Sequence, residues 1–373
     1  MPVVFDDSEK FDQKLKDAAR VAVEDVLGVK SGEDVLIVTN PDRDVRLISE
    51  AVYDACVTAG ACPAMIVQQM KTQMDFAEPA VIGAIAKNPS VAISISREKL
   101  GKDTEAMKNP IAAGEKKYNH IFNYLMGEKK MRSFWSPSID LRMFMETVPI
   151  DYEQMREDCR KAAEVLDWAD EVRITAPSGT HLTLGVRGRK AKKDDGNFTE
   201  PGSGGNLPCG EVFISPELGA GTGVIAFDGS ISSDKGEIMI EQPIVCKVEK
   251  NRVVSIEGGR EAEELLGTIT RGEEKPLQLA GEGKLSGEDA ETYRANARNL
   301  GELGIGLNRA ARIVGNMLED EKVYTTCHIA IGSNYDDDAE ALIHLDGLIK
   351  KPTITCLKEG EERLVMRDGE LVA

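Results

Sequence analysis

The sequence predicts two domains: an α/β N-terminal domain, then an α+β C-terminal domain whose strands are mainly antiparallel. Three observations support this fold class. The chain has 373 residues, which suits two domains of about 150 residues or more. Short apolar runs alternate with helical patterns over about the first 120 residues, as in parallel sheets with crossover helices. Later in the chain, short strands flank turn-forming residues, which is typical of antiparallel hairpins.

The N-terminal elements follow from the spacing of apolar residues. Apolar side chains recur at helical spacing from Phe11 to Val26, and Gly28 follows as a natural helix end. Four-residue to five-residue apolar runs indicate strands buried on both faces. The further predicted elements are, in order, the strand Val35 to Val38, the helix Val45 to Ala59, the strand Ala64 to Val67, the helix Pro79 to Lys87 and the strand Val91 to Ile95.

A charged, amphipathic stretch from Tyr152 to Trp168 predicts a helix that links the two domains. We therefore expect an N-terminal domain over residues 1–150, a linking helix over 151–170 and a C-terminal domain over 171–373. The predicted elements beyond the linker are the strand pair Val172 to Ile174 and Leu182 to Leu184, the hairpin Ile244 to Val248 and Val253 to Ile256, the helices Glu261 to Thr268 and Glu288 to Leu300, and terminal hairpins around Gly360 and Gly369.

Composition excludes several classes of partner. The 46 Lys and Arg residues against 64 Asp and Glu residues give a net charge of −18, which repels nucleic acid and anionic membrane surfaces. No apolar run is long enough to cross a bilayer, and the acidic residues Asp6 and Asp7 end the N-terminal apolar stretch before it reaches signal-peptide length. Seven scattered cysteines without a paired pattern indicate reduced thiols. We expect a cytoplasmic protein that binds neither nucleic acid nor membrane.

The candidate site begins with His344-Leu345-Asp346. Alternate residues of a strand share one face, so this imidazole and this carboxylate would converge on one point. Two carboxylates, Glu211 and Glu302, lie among glycine and apolar residues, where a cation or a donor is needed to neutralise them. With His328 these residues offer the oxygen and nitrogen ligands that divalent ions prefer. The alternatives are a surface histidine and acids in exposed turns.

Four motifs, in order, resemble the M29 family of metal-dependent aminopeptidases, the aminopeptidase T type. They cover residues 170–350 closely and the N-terminal half loosely. The motifs are Asn206-Leu-Pro-Cys-Gly-Glu-Val-Phe-Ile-Ser-Pro216, Leu300-Gly-Glu302, Glu319-Asp-Glu-Lys322 followed by Cys327-His-Ile-Ala-Ile-Gly-Ser-Asn-Tyr335, and His344-Leu-Asp346.

The resemblance implies an enzyme that releases N-terminal residues from small peptides, as a homodimer, through water activated by two divalent ions, Zn, Co or Mn. The catalytic residues would be Glu302, which would also bridge the metals, and Tyr335, which could donate a hydrogen bond to the oxyanion of the transition state. A buried core position is the alternative for Tyr335. The implied metal ligands are Glu211, Glu302, His328, His344 and Asp346.

Two departures from the family pattern leave an alternative open, although the presence of both Glu211 and Glu302 favours hydrolysis. Gly210 stands where many members have a second acid, and the segment between Tyr335 and His344 is short and acidic. That acidic run is either a solvated loop or an attractor for the α-ammonium group of a peptide. The alternative is an enzyme resembling the ring-cleaving 2,5-dihydroxypyridine dioxygenase, with one Fe(II) held by His328, His344 and Asp346, since two histidines and one carboxylate are typical of non-haem iron. A third possibility, a binding protein that has lost its activity, is disfavoured because all five implied metal ligands are present.

Overall fold

The computed structural model describes residues 4–5, 11–72 and 75–373. The chain divides into two compact units. The first comprises residues up to Tyr152 together with Asp194–Cys209, and the second comprises Glu153–Lys193 and Gly210–Ala373. The residues that end the N-terminal apolar stretch, Asp6 and Asp7, lie outside the described part of the chain.

Ten α-helices and twenty-two strands are found among the described residues. The helices are α1 (Gln13–Val21, continued by a π-helical turn, Ala22–Val26), α2 (Arg43–Thr58), α3 (Pro79–Ile85), α4 (Thr104–Lys108), α5 (Ile121–Gly127), α6 (Leu141–Thr147), α7 (Tyr152–Trp168), α8 (Arg260–Gly281), α9 (Gly287–Asn296) and α10 (Met317–Asp320). The strands are β1 (Asp34–Thr39), β2 (Cys62–Val67), β3 (Val91–Ser96), β4 (Ile111–Ala113), β5 (Lys116–Tyr118), β6 (Arg132–Pro137), β7 (Glu171–Thr175), β8 (His181–Gly185), β9 (Lys192–Asp194), β10 (Gly204–Asn206), β11 (Glu211–Ile214), β12 (Gly221–Phe227), β13 (Ser230–Ser233), β14 (Gly236–Met239), β15 (Ile244–Glu249), β16 (Arg252–Glu257), β17 (Leu300–Gly306), β18 (Thr326–Gly332), β19 (His344–Lys350), β20 (Thr353–Lys358), β21 (Glu361–Arg367) and β22 (Glu370–Leu371).

The first unit is built on a five-stranded parallel sheet, which confirms the predicted α/β class of the N-terminal half. Its strand order is β10-β6-β3-β1-β2, and all four neighbouring pairs run parallel. The central strand β3 is buried along its whole length, as expected for a run of apolar residues covered by helices on both faces. A separate two-stranded ribbon joins β4 to β5.

A buried ion pair fixes one end of this sheet. The Arg132 guanidinium donates to both carboxylate oxygens of Glu33, at 2.9 and 2.6 Å. It also donates to the backbone carbonyls of Leu27, at 2.8 Å, and Gly28, at 3.2 Å. Arg132 is 4% exposed, and a bidentate pair of this kind provides geometric specificity as well as energy. Hydrogen bonding to Arg132 lowers the pKa of Glu33 despite partial burial.

The second unit contains two antiparallel sheets, which confirms the predicted α+β class. The eight-stranded sheet has the order β16-β15-β12-β8-β7-β20-β21-β22, and the seven-stranded sheet has the order β14-β13-β19-β18-β17-β11-β9. The predicted hairpin across Lys250 and Asn251 is confirmed as β15 paired with β16. Both turn residues adopt positive φ, at 50° and 61°, as two-residue turns between twisted strands require.

Three sequence-based boundaries differ from the structure. The helix predicted over Glu261 to Thr268 extends to Gly281 and contains a buried proline, Pro276, in a hairpin with α9. The second predicted helix ends at Asn296, because Leu300 already belongs to the fully buried strand β17. Residues 194–209, expected in the C-terminal domain, belong to the first unit because β10 pairs with β6.

The helix expected from Tyr152 to Trp168 is confirmed as α7, and from Glu153 onward it belongs to the second unit. Over the described residues, every helix is too short or too polar to traverse a lipid bilayer.

Candidate metal centre

Four neighbouring strands of the seven-stranded sheet carry the five predicted ligands. Glu211 begins β11, Glu302 lies in β17, His328 lies in β18, and His344 and Asp346 lie in β19. Residues directly opposite each other in an antiparallel pair point to the same face. The pairs Gly304 with His328 and Ala330 with Asp346 therefore place these side chains on one face of the sheet.

A glycine makes room for one of the histidines. Gly304 lies opposite His328, and a Cβ atom at residue 304 would lie only 2.0 Å from His328 Nε2. The imidazole thus covers the backbone of β17 at a position that no larger residue can occupy without displacing it. His328 is 1% exposed, so the glycine fixes both the place of the ring and its burial.

The Glu302 carboxylate lies between the two histidines and contacts each with a different oxygen. Its Oε1 is 3.2 Å from His328 Nε2, and its Oε2 is 3.4 Å from His344 Nε2. His344 Nε2 also lies 3.3 Å from Asp346 Oδ1, and His328 Nε2 lies 3.6 Å from Glu211 Oε2. The structure therefore brings all five predicted ligand residues into one connected cluster.

The orientation of His344 is fixed from outside the cluster. Its Nδ1 lies 2.9 Å from the carbonyl oxygen of Ser333, so Nδ1 carries the proton and donates it to that carbonyl. This leaves Nε2 facing Glu302 and Asp346 as the atom available to a metal. A backbone acceptor on the other ring nitrogen is the usual support of a ligating histidine.

Two further residues, Glu321 and Lys322, complete the cluster. The Lys322 ammonium donates to Glu211 Oε1 at 2.7 Å and to Glu321 Oε1 at 2.6 Å. Lys322 is 0% exposed, and the two residues directly follow α10. Both residues belong to the Glu319 to Lys322 motif, from which no role was predicted for either. Their position in this motif, shortly before His328, was the one sequence feature that could have indicated a role at the site.

Side chains suited to a metal ion form two groups of three, and within each group the ligand atoms lie within 4.8 Å of one another. One group is Glu211, Glu321 and His328, and the other is Glu302, His344 and Asp346. Among the described residues, Glu211 Oε2 is buried and accepts no hydrogen bond. Carboxylates and imidazoles in such groups are the donors that Fe, Mn, Zn and Co accept. The residues therefore fit a divalent metal ion.

The electrostatics of the cluster follow from burial and crowding. Burial raises the pKa of Glu211 to about 8, although the charge of Lys322 opposes this shift. Burial alone would lower the pKa of His328, but the hydrogen bond to Glu302 and the charges of Glu211 and Glu302 prevail and raise it to about 9. Burial would raise the pKa of Asp346, but His344 lowers it to about 2. Protons held by Glu211 and His328 thus offset the negative charge of the clustered carboxylates, and a bound cation would take over this role.

Tyr335 lies at the border of the cluster and is not the buried core residue that was the alternative. It is 52% exposed. Its ring centroid is 5.3 Å from that of Phe213 and 5.1 Å from that of His344. Desolvation and the nearby carboxylates raise the pKa of the hydroxyl, which outweighs the opposing effect of His344. Tyr335 is therefore a protonated phenol beside the candidate ligand His344, and with Phe213 it forms an aromatic border of the cluster.

The acidic segment that follows Tyr335 is held by two basic side chains. Arg189 donates to Asp338 at 2.7 Å and lies 3.5 Å from Asp336. Lys192 donates to Asp336 at 2.9 Å and also to the carbonyl oxygen of Tyr335. Two of the three aspartates in this segment are thus paired within the second unit. This pairing disfavours the interpretation of the run as a purely solvated loop.

The glycine before Glu211 has a structural cause. Gly210 has φ of +121°, and a Cβ there would lie 2.8 Å from Met155 Sδ and 2.9 Å from Asn308 Cβ. An acidic side chain has no room at this position in this backbone. Glycine is therefore required at residue 210 by the backbone conformation and the close packing just before β11.

Fold and site define a two-domain α/β protein with a candidate metal centre. The chain belongs to the family described as NicX, 2,5-dihydroxypyridine 5,6-dioxygenase, whose model matches residues 140–329. Membership of this family makes the protein an enzyme. No protein of curated function matches the sequence.

Two solved structures share this fold over almost their whole length. The 2,5-dihydroxypyridine dioxygenase of Pseudomonas putida KT2440 is 15% identical, with a TM-score of 0.71 over 96% of this chain and 97% of that chain. AmpT from Thermus thermophilus is 17% identical, with a TM-score of 0.67 over 97% of this chain and 99% of that chain. At these identities the likeness concerns the fold, which is the fold expected from the aminopeptidase resemblance and from its alternative.

Proposed function

We propose that the protein is a non-haem metal dioxygenase that opens a dihydroxylated aromatic ring, of the chemical class to which 2,5-dihydroxypyridine belongs. One observation carries the proposal: the His328, His344 and Asp346 set lies beside an aromatic border formed by Tyr335 and Phe213. Two histidines and one carboxylate are typical of Fe(II) that reacts with O2. The family to which the chain belongs carries the same chemistry in its description.

The surroundings of the site also suit an aromatic substrate better than a peptide amine. An aminopeptidase needs an anionic group for the charged N-terminus of its substrate. Here Asp336 and Asp338 are paired with Arg189 and Lys192, and an acid at Gly210 is excluded by space. Aromatic rings stack and pack edge to face at centroid distances of about 4.5 to 7 Å, so Tyr335 and Phe213 offer a flat ring a matching surface.

In this proposal His328, His344 and Asp346 would hold the ion. When bound, Fe(II) would supply the redox centre that activates O2 for addition to a ring carbon of the substrate. Glu302 contacts both imidazoles at Nε2, the atoms that would bind the ion, so its carboxylate would lie next to the ion, and Ser333 fixes the tautomer of His344. The Tyr335 phenol is placed to donate a hydrogen bond to a substrate oxygen. Dioxygenation adds both atoms of O2 to the substrate as one ring bond breaks, so no external reductant is consumed.

A second candidate is the metal-dependent aminopeptidase, and one observation favours it. Six ligand side chains form two groups of three, which is enough for two ions that would activate water and polarise a peptide carbonyl. In that reaction Glu302 would contact both ions and carry a proton. This candidate predicts two ions per chain, whereas the dioxygenase predicts one.

Parallel assays separate the two activities. Protein purified without oxygen and loaded with Fe2+ is mixed with 2,5-dihydroxypyridine and related dihydroxylated rings, and O2 uptake and ring absorbance are recorded. The same preparation loaded with Co, Mn or Zn is tested on short peptides with free and acetylated N-termini. We expect stoichiometric O2 uptake with loss of the ring chromophore and no release of amino acids.

Release of amino acids from free peptides but not from acetylated ones would reject the dioxygenase and support the aminopeptidase, because an exopeptidase uses the charged amine for register. Tyr335→Phe is the matched variant, since it keeps the ring contacts with Phe213 and His344 and removes only the hydroxyl. We expect it to lower kcat by about a hundredfold to a thousandfold, as loss of one hydrogen-bond donor to a transition state does, with metal content unchanged. Equal kcat in both proteins would contradict the role of the phenol.

A further inference from the structure

Lys322 is a buried cation inside the cluster of candidate ligands. It is 0% exposed, and its Nζ contacts Glu211 and Glu321 at 2.7 and 2.6 Å. These two carboxylates are two of the three members of the first ligand group. In the second group, Glu302, His344 and Asp346, both carboxylates form ion pairs with histidines.

A buried ammonium and a divalent ion compete for the same oxygens. Taking a carboxylate out of water requires a compensating charge with good geometry, and Lys322 supplies one positive charge that Glu211 and Glu321 share. An ion bound to these oxygens would either displace the ammonium or lie close to it, where like charges repel strongly because the site is buried. The two ligand groups therefore differ: the first already contains its cation.

The backbone holds Lys322 in this place. Its carbonyl oxygen accepts a hydrogen bond from Asn308 N at 2.8 Å, and its N–H donates to Glu319 O at 3.0 Å. The segment lies so close to β17 that a Cβ at Gly306 would be 2.2 Å from Val323 O and 2.8 Å from the Lys322 carbonyl carbon. The ammonium is thus fixed by a packed backbone, with no exposed surface through which to leave.

We infer that Lys322 takes the place of a second metal ion, so that the centre binds one ion, held by His328, His344 and Asp346 beside Glu302. His328 Nε2 lies 3.2 Å from Glu302 and 3.6 Å from Glu211, between the two groups. The inference rests on the metal centre of the proposed function but not on its reaction. It adds a residue whose role is to set the number of ions.

The test is a count of bound metal. Wild type, Lys322→Met and the control Lys247→Met are loaded with Mn2+, desalted and analysed by mass spectrometry for metal per chain, with calorimetric titration in parallel. Lys247 is 59% exposed and pairs with Glu249, so its replacement removes a lysine charge away from the cluster. We expect one ion per chain in wild type and control, and two in Lys322→Met, with a spin-coupled Mn2+ spectrum only in that variant.

Two ions in wild type, or one ion in folded Lys322→Met, would overturn the inference. If Lys322→Met does not fold, the variant Glu321→Gln tests the inference instead. It removes one carboxylate of the first group and leaves Lys322 paired with Glu211. We expect Glu321→Gln to bind one ion with an affinity within threefold of wild type. A tenfold or larger loss would show that Glu321 is a metal ligand and would reject the inference.

The number of bound ions is independent of the reaction: one ion with peptidase activity rejects the proposed function alone, and two ions with O2 consumption reject this inference alone.

Discussion

Replacing Gly304 by alanine should damage the metal centre while leaving the fold intact. The added Cβ would lie 2.0 Å from His328 Nε2, whereas ordinary contacts begin near 3.4 Å. The ring nitrogen must therefore withdraw by about 1.4 Å, which exceeds the tolerance of about 0.2 Å for a metal–ligand distance. His328 then ceases to be a ligand.

The expected loss exceeds that of a disturbed supporting residue, which is about tenfold to a hundredfold in metal affinity. We expect the metal affinity of Gly304→Ala to fall about a hundredfold or more, equivalent to about 2.8 kcal/mol. Crowding of a buried ring also costs about 1 to 3 kcal/mol of folding stability. Calorimetric titration with Mn2+ measures the first quantity, and urea unfolding of the metal-free protein measures the second.

Ile305→Val is the matched control for Gly304→Ala. Ile305 is the next residue of β17, is 0% exposed and points to the opposite face of the sheet. Loss of one methyl group costs about 0.5 to 1.5 kcal/mol of stability, so this variant is destabilised without a change at His328. Unchanged metal affinity in Gly304→Ala, or an equal loss in both variants, would refute the assignment of His328 as a ligand.

Three further predictions follow from the same contacts. His344→Ala and Asp346→Asn should each abolish turnover and weaken metal binding at least about tenfold with unchanged circular dichroism, whereas unfolding of both variants would show a structural site. Arg132→Met should lower the free energy of unfolding by about 3 kcal/mol in urea titrations, because it leaves Glu33 and two carbonyls without their donor; a change below about 1 kcal/mol would contradict this. Arg132 lowers the pKa of Glu33, so the stabilisation is complete above about pH 4.5 and is lost as the pH falls through the folded-state pKa. The stability difference between wild type and Glu33→Gln should therefore shrink between pH 7 and pH 3, and a constant difference would contradict the pairing.

Local patterns predicted the parts of the site that depend on strand geometry. The i, i+2 spacing of His344 and Asp346 predicted that both side chains lie on one face of a strand. In β19 they do, and they contact each other. The unusual settings of Glu211 and Glu302 among glycine and apolar residues indicated buried acids, and both are less than 10% exposed. In each case the information lies within a few residues of sequence, which is the range over which strand periodicity acts.

Other parts of the site depend on contacts between distant residues. Glu319 to Lys322 has the composition of a solvated surface turn, yet three of its four residues are 0% exposed, because Asn308 and Gly306 bring this segment against β17. Likewise, Asp336 and Asp338 are paired with Arg189 and Lys192, more than 140 residues earlier. No local pattern contains these pairings, so the roles of Lys322 and of the acidic segment emerged only from the fold.

A crystal structure of the iron-loaded protein, with anomalous scattering recorded at the iron edge, would count the bound ions and identify their ligands. We predict one anomalous peak per chain, at about 2.0 to 2.2 Å from His328 Nε2, His344 Nε2 and a carboxylate oxygen of Asp346, with Lys322 still paired to Glu211. Two peaks per chain, or a peak between Glu211 and Glu321 in place of the Lys322 ammonium, would contradict it.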